Sequence, residues 1–417
     1  MTKNQSTTNY LGPFITMVFL FFVVGFLTVV NQQFQAPLKA ALLSNAGNIQ
    51  NTLATLITFS WFLAYPLTGG IAASLVNKHG YKGAMIRALM VMVAGLGIFE
   101  ISVLQEVYAP SSLSFGDVQI PVSFFIFLLG SYVVGAAVTI MQVVINPYLV
   151  ACNVKGTSDV QRQNMGGSAN SIGTTIAPFF VAGVIFGGAA VTSVDALIIP
   201  FIGLMVTIAI VTFIVSKLQL PNIEGTTGGE GEVLERSIWS FRHLTLGVIG
   251  IFFYVGVEVC VGANIVLFAE DLGGSFAEKA ALMASLYWGG MLVGRLVGAT
   301  LSKVPAKLQL TITSIAAAVL IAASMATKNP WLLVGVGLFH SIMWPAIFSL
   351  AVTGLGKYTS KGSGALMIGV VGGAILPLLQ GMMADAMGWD ITWALVIAGE
   401  AYLLHYALIG CKIKEQA

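Results

Sequence analysis

The sequence predicts an all-α polytopic membrane protein: twelve transmembrane helices in two pseudo-symmetric six-helix bundles, with both termini cytoplasmic. Three observations carry that prediction. Of 417 residues, 57% are hydrophobic and only 9% charged, against about 25% charged in soluble domains. Runs of about 20 apolar residues recur along the whole chain, each long enough to cross about 30 Å of hydrocarbon as a helix. Lipid offers exposed backbone groups no hydrogen-bond partner, so each crossing must be helical.

In order, the spans read 12–36, 50–76, 83–104, 121–149, 164–187, 194–216, 243–269, 278–302, 307–326, 330–354, 361–384 and 390–411. An even count leaves both termini on one side. Lys and Arg decide which. Fifteen, among them Lys78, Lys82, Lys155, Arg162, Lys217, Lys303 and Lys414, fall on the side of the termini, against Lys39, Lys279 and Lys328 opposite. Positively charged loops stay cytoplasmic. The acids Glu106, Asp117, Asp195, Glu270, Asp271, Asp385 and Asp390 lie on the outer face, which agrees. No signal-peptide cleavage site follows the first span, so that run is read as a retained helix. The longest polar interruption, 217–242, is Gly/Glu-rich and reads as a flexible linker between 1–216 and 243–417.

The halves repeat. Asn77-Lys78-His79-Gly80-Tyr81-Lys82 after the second span matches Ser302-Lys303-Val304-Pro305-Ala306-Lys307 after the eighth. Pro147 and Pro178 correspond to Pro345 and Pro377, and Gly173 and Gly372 each stand five residues before the later proline. Parallel duplication with a site between the halves is a layout of rocking carriers.

That layout, with its basic turn after the second span, resembles the major facilitator superfamily. The second half is more specific. Leu246–Val259, Tyr287–Arg295 and Ser341–Ala351 resemble bacterial glucose/galactose transporters, relatives of the fucose/proton symporter. Thr28–Asn31, Asn146-Pro147 and Asn170–Thr175 carry the likeness in the first half. The resemblance implies a secondary active carrier of a monosaccharide in the bacterial cytoplasmic (inner) membrane, working by alternating access.

Intramembrane polar residues are the candidate site, because each costs insertion energy, about 2.5–3.5 kcal/mol for a central charge. Glu258 lies near the middle of the seventh span. It can hydrogen-bond a sugar hydroxyl, carry a proton or ligate Na⁺; the competing reading is a helix–helix hydrogen bond. Asn31, Gln32, Gln142, Asn146 and Asn170 are amides, which both donate and accept and so suit sugar hydroxyls. Tyr287 and Trp288 offer rings to stack on a sugar. His340 either faces the cavity or packs, while Glu400 and Glu100 read as structural. Arg295, with Lys78, Lys82 and Lys303, is assigned to the cytoplasmic gate.

Gln32 stands where the family usually has an aspartate, and Gln142 where the fucose/proton symporter has a glutamate and the glucose/galactose relatives also carry glutamine. Gly167 replaces a usual glutamine. Amides hold no transferable proton near neutral pH, so the family's first-half proton relay does not carry over. Proton coupling through Glu258, Na⁺ coupling near Glu258, and uncoupled uniport all stay open. So do fucose or N-acetylhexosamine as substrate and a transport-dead sugar sensor, although a sensor would usually carry a long extension. The pattern holds no catalytic dyad, phosphate loop or metal cluster, which excludes an enzyme. Cys152, Cys260 and Cys411 are isolated, without metal or disulfide spacing. No cofactor and no nucleic acid is implied, and short loops without a tail point to a monomer in the bilayer.

Overall fold

A computed structural model describes residues 10–152, 154–157, 159–187, 194–221, 235–301 and 303–413. Most of the expected linker, 222–234, lies outside the described residues, as does Lys414. The chain runs α1 (Leu11–Gln33), α2 (Gln35–Leu42), α3 (Gln50–Tyr108), β1 (Ser112–Phe115), β2 (Val118–Pro121), α4 (Val122–Ala151), α5 (Asp159–Phe179) and α6 (Ile198–Lys217). It continues with α7 (Arg242–Leu272), α8 (Gly274–Glu278), α9 (Ala280–Thr300), α10 (Ala306–Thr327), α11 (Trp331–His340), α12 (Met343–Val352), α13 (Thr359–Leu366), α14 (Gly372–Met387) and α15 (Trp389–His405).

Among the described residues, eleven helices are long and apolar enough to cross a membrane. Twelve spans are expected, and the difference sits in one place. Gly47–Tyr108 is continuous over 62 residues, about 93 Å at helical rise, and merges the expected spans 50–76 and 83–104. Inside it, Gly80 takes φ 66° and ψ 174°, a conformation open to glycine because it lacks a Cβ. The Trp61 carbonyl lies against Gly135 of α4, and Gly95 lies against Val134 of the same helix. In an unbroken helix Trp61 and Gly95 would stand about 51 Å apart. Both meet adjacent residues of α4, so the two limbs of α3 turn back on each other at Gly80.

Other expected spans are interrupted, and prolines account for two of the breaks. A proline cannot donate to the carbonyl four residues earlier, and its ring crowds that carbonyl. Pro37 frees the carbonyl of Gln33, where α1 gives way to α2; Pro345 frees that of Ser341, between α11 and α12. A 3₁₀ turn, Met367–Val371, joins α13 to α14. The β-hairpin is not foreseen in the sequence. Its strands pair antiparallel from Ser112↔Pro121 to Phe115↔Val118, and Gln119 N–H donates to the Asn45 carbonyl at 3.2 Å. The hairpin therefore rests on the α2–α3 connection.

Apolar burial holds the elements together. Phe34, Phe99, Phe127 and Phe201 meet with ring centroids 4.3–6.3 Å apart, tying the α1–α2 junction to α3, α4 and α6. Two seams then join the segments before and after the expected linker. Along one, α14 lies on the first limb of α3, with Gly381 against Thr55 and Gly373 against Phe62. Along the other, Gly289 of α9 faces Thr175 of α5. Small residues let the backbones approach at both seams.

Candidate functional site

The polar end of α1 divides into bonded and unbonded amides. Asn31 Nδ2 donates to Ser131 Oγ at 2.9 Å, and Ser131 Oγ donates to the Ile57 carbonyl at 2.9 Å. Gln35 Nε2 donates to Thr58 Oγ1 at 2.8 Å. These two amides clamp α1 and α2 onto α3 and α4. Gln32 between them is 1% exposed, yet neither of its amide atoms has a hydrogen-bond partner. Leaving such a group unpaired costs about 1–3 kcal/mol.

A second amide chain crosses three helices. Gln142 Nε2 donates to the Tyr65 hydroxyl at 2.9 Å, Asn146 Nδ2 to the Gln142 carbonyl at 3.0 Å, and Gln163 Nε2 to Asn146 Oδ1 at 2.9 Å. Gln142 and Asn146 thus share one face of α4, as their spacing of four requires. Asn170 Nδ2 donates to the Phe21 carbonyl at 3.0 Å and closes on Gly25, which commits that nitrogen to the contact between α1 and α5.

After the expected linker, the polar groups concentrate around α7. Tyr254 and Glu258 stand four residues apart on one face of α7. The Tyr287 hydroxyl reaches the Glu258 main-chain carbonyl at 3.0 Å and His340 Nδ1 at 2.8 Å. His340 Nε2 meets Glu400 Oε1 at 2.7 Å. The Trp288 ring stands edge-on to Tyr287 at 5.1 Å, and its Nε1 is buried without a partner. Both rings close over Gly262, where any Cβ would collide with them. Glycine at 262 is what lets two aromatic rings lie directly on the α7 backbone.

Arg295 reaches across a seam. Its Nη1 hydrogen-bonds Ser171 Oγ and lies 3.4 Å from the Gly167 carbonyl, so it joins α9 to α5. Lys78 is exposed on α3 just before Gly80, Lys82 is half-buried just after it, and Lys303 is exposed in a turn. At the far end of the α3–α14 seam, Asp385 caps α3. Its carboxylate accepts from the Asn51 N–H at 2.9 Å, the Thr52 N–H at 2.7 Å and the Thr52 hydroxyl at 2.6 Å. Lys39 Nζ donates to Asn51 Oδ1 beside it.

The structure thus brings Glu258, Tyr287, Trp288 and His340 together, and joins Gln142 to Asn146. Sequence reasoning missed Tyr65, Gln163, the capping role of Asp385 and the pairing of Glu400 with His340. Glu400 carries its own signal, a carboxyl amid an apolar run, but its partner lies 60 residues away.

No family model matches the chain. A glucose/galactose transporter of Brucella abortus (biovar 1, strain 9-941) is 35% identical over 421 residues, spanning 99% of this chain and 97% of that protein. The L-fucose-proton symporter of Escherichia coli K12 is 25% identical over 91% of this chain and 88% of its own. A crystal structure of the E. coli fucose:proton symporter matches with a TM-score of 0.65 at 20% identity, over 96% of this chain and 98% of that one. The fold is that of these transporters, and the relatives are transporters rather than enzymes. With a full-length relative at 35% identity and the same arrangement of helices, the chain belongs to the fucose/glucose/galactose permease family of the major facilitator superfamily.

Proposed function

We propose that this protein is a secondary active carrier that moves a glucose- or galactose-type hexose across the bacterial inner membrane by alternating access, coupled to a cation. The observation that carries the reading is Gln32. It is a fully buried amide at the end of a long apolar helix, with donor and acceptor both free. A sugar hydroxyl both donates and accepts and supplies the missing partners. Asn31, Gln142, Asn146 and Asn170 supply or support the rest of the polar lining. Glu258, Tyr287, Trp288 and His340 form the opposing wall, with Trp288 Nε1 as a further unpaired donor. The relatives' names, a glucose/galactose transporter and a fucose-proton symporter, support the substrate class and a coupled proton.

The architecture in this reading is twelve crossings, the two limbs of α3 counting separately, in bundles 1–216 and 243–417 joined by 217–242. Both termini lie in the cytoplasm, and the carrier works as a monomer in the bilayer. Arg295, Lys78, Lys82 and Lys303 act at the cytoplasmic gate, Arg295 through its contact with Ser171. The resemblance favours a second reading, uniport: it implies an aspartate at position 32, where this chain holds an amide. Na⁺ held near Glu258 is the other route to coupling.

Substrate choice is tested by counterflow in proteoliposomes preloaded with glucose. Labelled glucose enters, and external glucose and galactose each suppress it at similar concentrations. No glucose counterflow, with counterflow of fucose or N-acetylglucosamine in vesicles preloaded with that sugar, would move the substrate class elsewhere.

A further inference from the structure

Two of the most deeply buried ionisable groups among the described residues form a unit that sugar binding alone does not require. His340 on α11 and Glu400 on α15 meet at 2.7 Å with both side chains 0% exposed. An ion pair so placed gives up its hydration, and such pairs often contribute little to stability compared with apolar packing. An intramembrane ionisable pair is therefore a functional candidate by default. Glu400 Oε2 has no partner, so the carboxyl relies on His340 through its other oxygen.

From the geometry we infer that His340 and Glu400 hold the proton that couples transport, in place of the carboxylates missing from the first half. This inference rests on the sugar-carrier reading above. Two placements of the hydrogens fit the observed distances. With one proton on the pair, Nε2–H bonds Glu400, Nδ1–H donates to the Tyr287 oxygen, and the Tyr287 O–H donates to the Glu258 carbonyl. Every contact is then a matched donor and acceptor, and the pair is neutral overall. With that proton gone, Nδ1 becomes an acceptor, and the Tyr287 hydroxyl turns to it and leaves the Glu258 carbonyl. The pair then carries a buried negative charge.

Tyr287 therefore reports the proton to α7 at the very residue whose carboxyl belongs to the sugar site. The charged and titratable groups around the pair are Glu258, Tyr254 and Cys260 on α7 and Tyr287 and Arg295 on α9. Arg295 supplies positive potential on the Glu258 side. The step is a proton transfer only. Water on the loading side gives one proton to the pair, water on the other side takes it, and no other covalent bond changes. Tyr287 and Glu400 are positioning residues here, and His340 is the carrier.

The experiment measures sugar-evoked proton uptake with a pH dye trapped in proteoliposomes, together with glucose counterflow. Wild-type protein takes up protons when glucose is added. Glu400→Gln loses that signal at least ten-fold and fails to accumulate glucose under an imposed pH gradient, while counterflow persists. Glu258→Gln, which binds sugar more weakly, still moves protons at saturating glucose. Persistent proton uptake in Glu400→Gln overturns the proposal. If Glu400→Gln is inactive in counterflow, Glu258→Gln decides: retained proton uptake supports the pair, and lost uptake with intact counterflow assigns the proton to Glu258. Wild-type counterflow without proton uptake overturns the proposal but leaves the sugar carrier standing. Absence of any hexose counterflow overturns both.

Discussion

Asn31 and Gln32 are neighbours with opposite fates. Asn31 spends its nitrogen on Ser131, which in turn holds the Ile57 carbonyl; Gln32 spends nothing. Substituting each by alanine should therefore separate folding from binding. Gln32→Ala removes one or two substrate hydrogen bonds, each worth about 0.5–1.5 kcal/mol net. Glucose affinity should fall roughly ten-fold with little change in thermal stability. Asn31→Ala should lower the melting temperature, because it removes the buried hydrogen bond that ties α1 to Ser131 of α4. Affinity from tryptophan quenching and melting in detergent check both, and equal affinities for Gln32→Ala and wild type would remove Gln32 from the site. The polarity of this stretch was legible in the sequence, since amides after a long apolar run have no reason to face lipid. Which amide stays free was not, because it depends on Ser131 and Thr58, distant in sequence. Glu400 is the same case: its residue type is visible, but the histidine that pairs with it comes from another helix.

At the scale of elements, prolines and one aspartate explain what periodicity alone leaves out. Apolar length sets where helices run, and the expected spans follow it closely. The breaks at Gln33 and Ser341 sit four residues before prolines, so they follow from a local rule once applied. The Asp385 cap follows from no local rule. It joins the end of α14 to the start of α3 and satisfies two N–H groups that helix geometry leaves unpaired. A side-chain cap is worth about 0.5–2 kcal/mol, and the helix dipole adds to it for a carboxylate. In the proposed alternating-access cycle this seam opens and closes, so the cap belongs to the closed arrangement only. Asp385→Ala should shift the equilibrium toward opening of that seam, by about five-fold for 1 kcal/mol. Distances between spin labels on the α2–α3 connection and the end of α14 report the shift. An unchanged distance distribution would show that the cap does not hold the seam.

For the whole molecule, two seams, α3 with α14 and α5 with α9, each pair one element from either side of the expected linker. In the proposed topology the doubling back at Gly80 makes the number of crossings even, and the Lys and Arg bias then assigns both ends to the cytoplasm. A C-terminal fluorescent protein that matures only in the cytoplasm should therefore be bright, and alkaline phosphatase at the same place inactive. The reverse pattern would demand an odd count. The hairpin 112–121 had no counterpart in the apolar pattern, because it lies outside the spans and owes its position to Asn45.

The most direct measurement of the central claim is uptake of radiolabelled glucose into proteoliposomes under an imposed pH gradient, an imposed Na⁺ gradient, or neither. The account predicts accumulation above equilibrium with the pH gradient and simple equilibration otherwise. Failure to take up any hexose under all three conditions would contradict it.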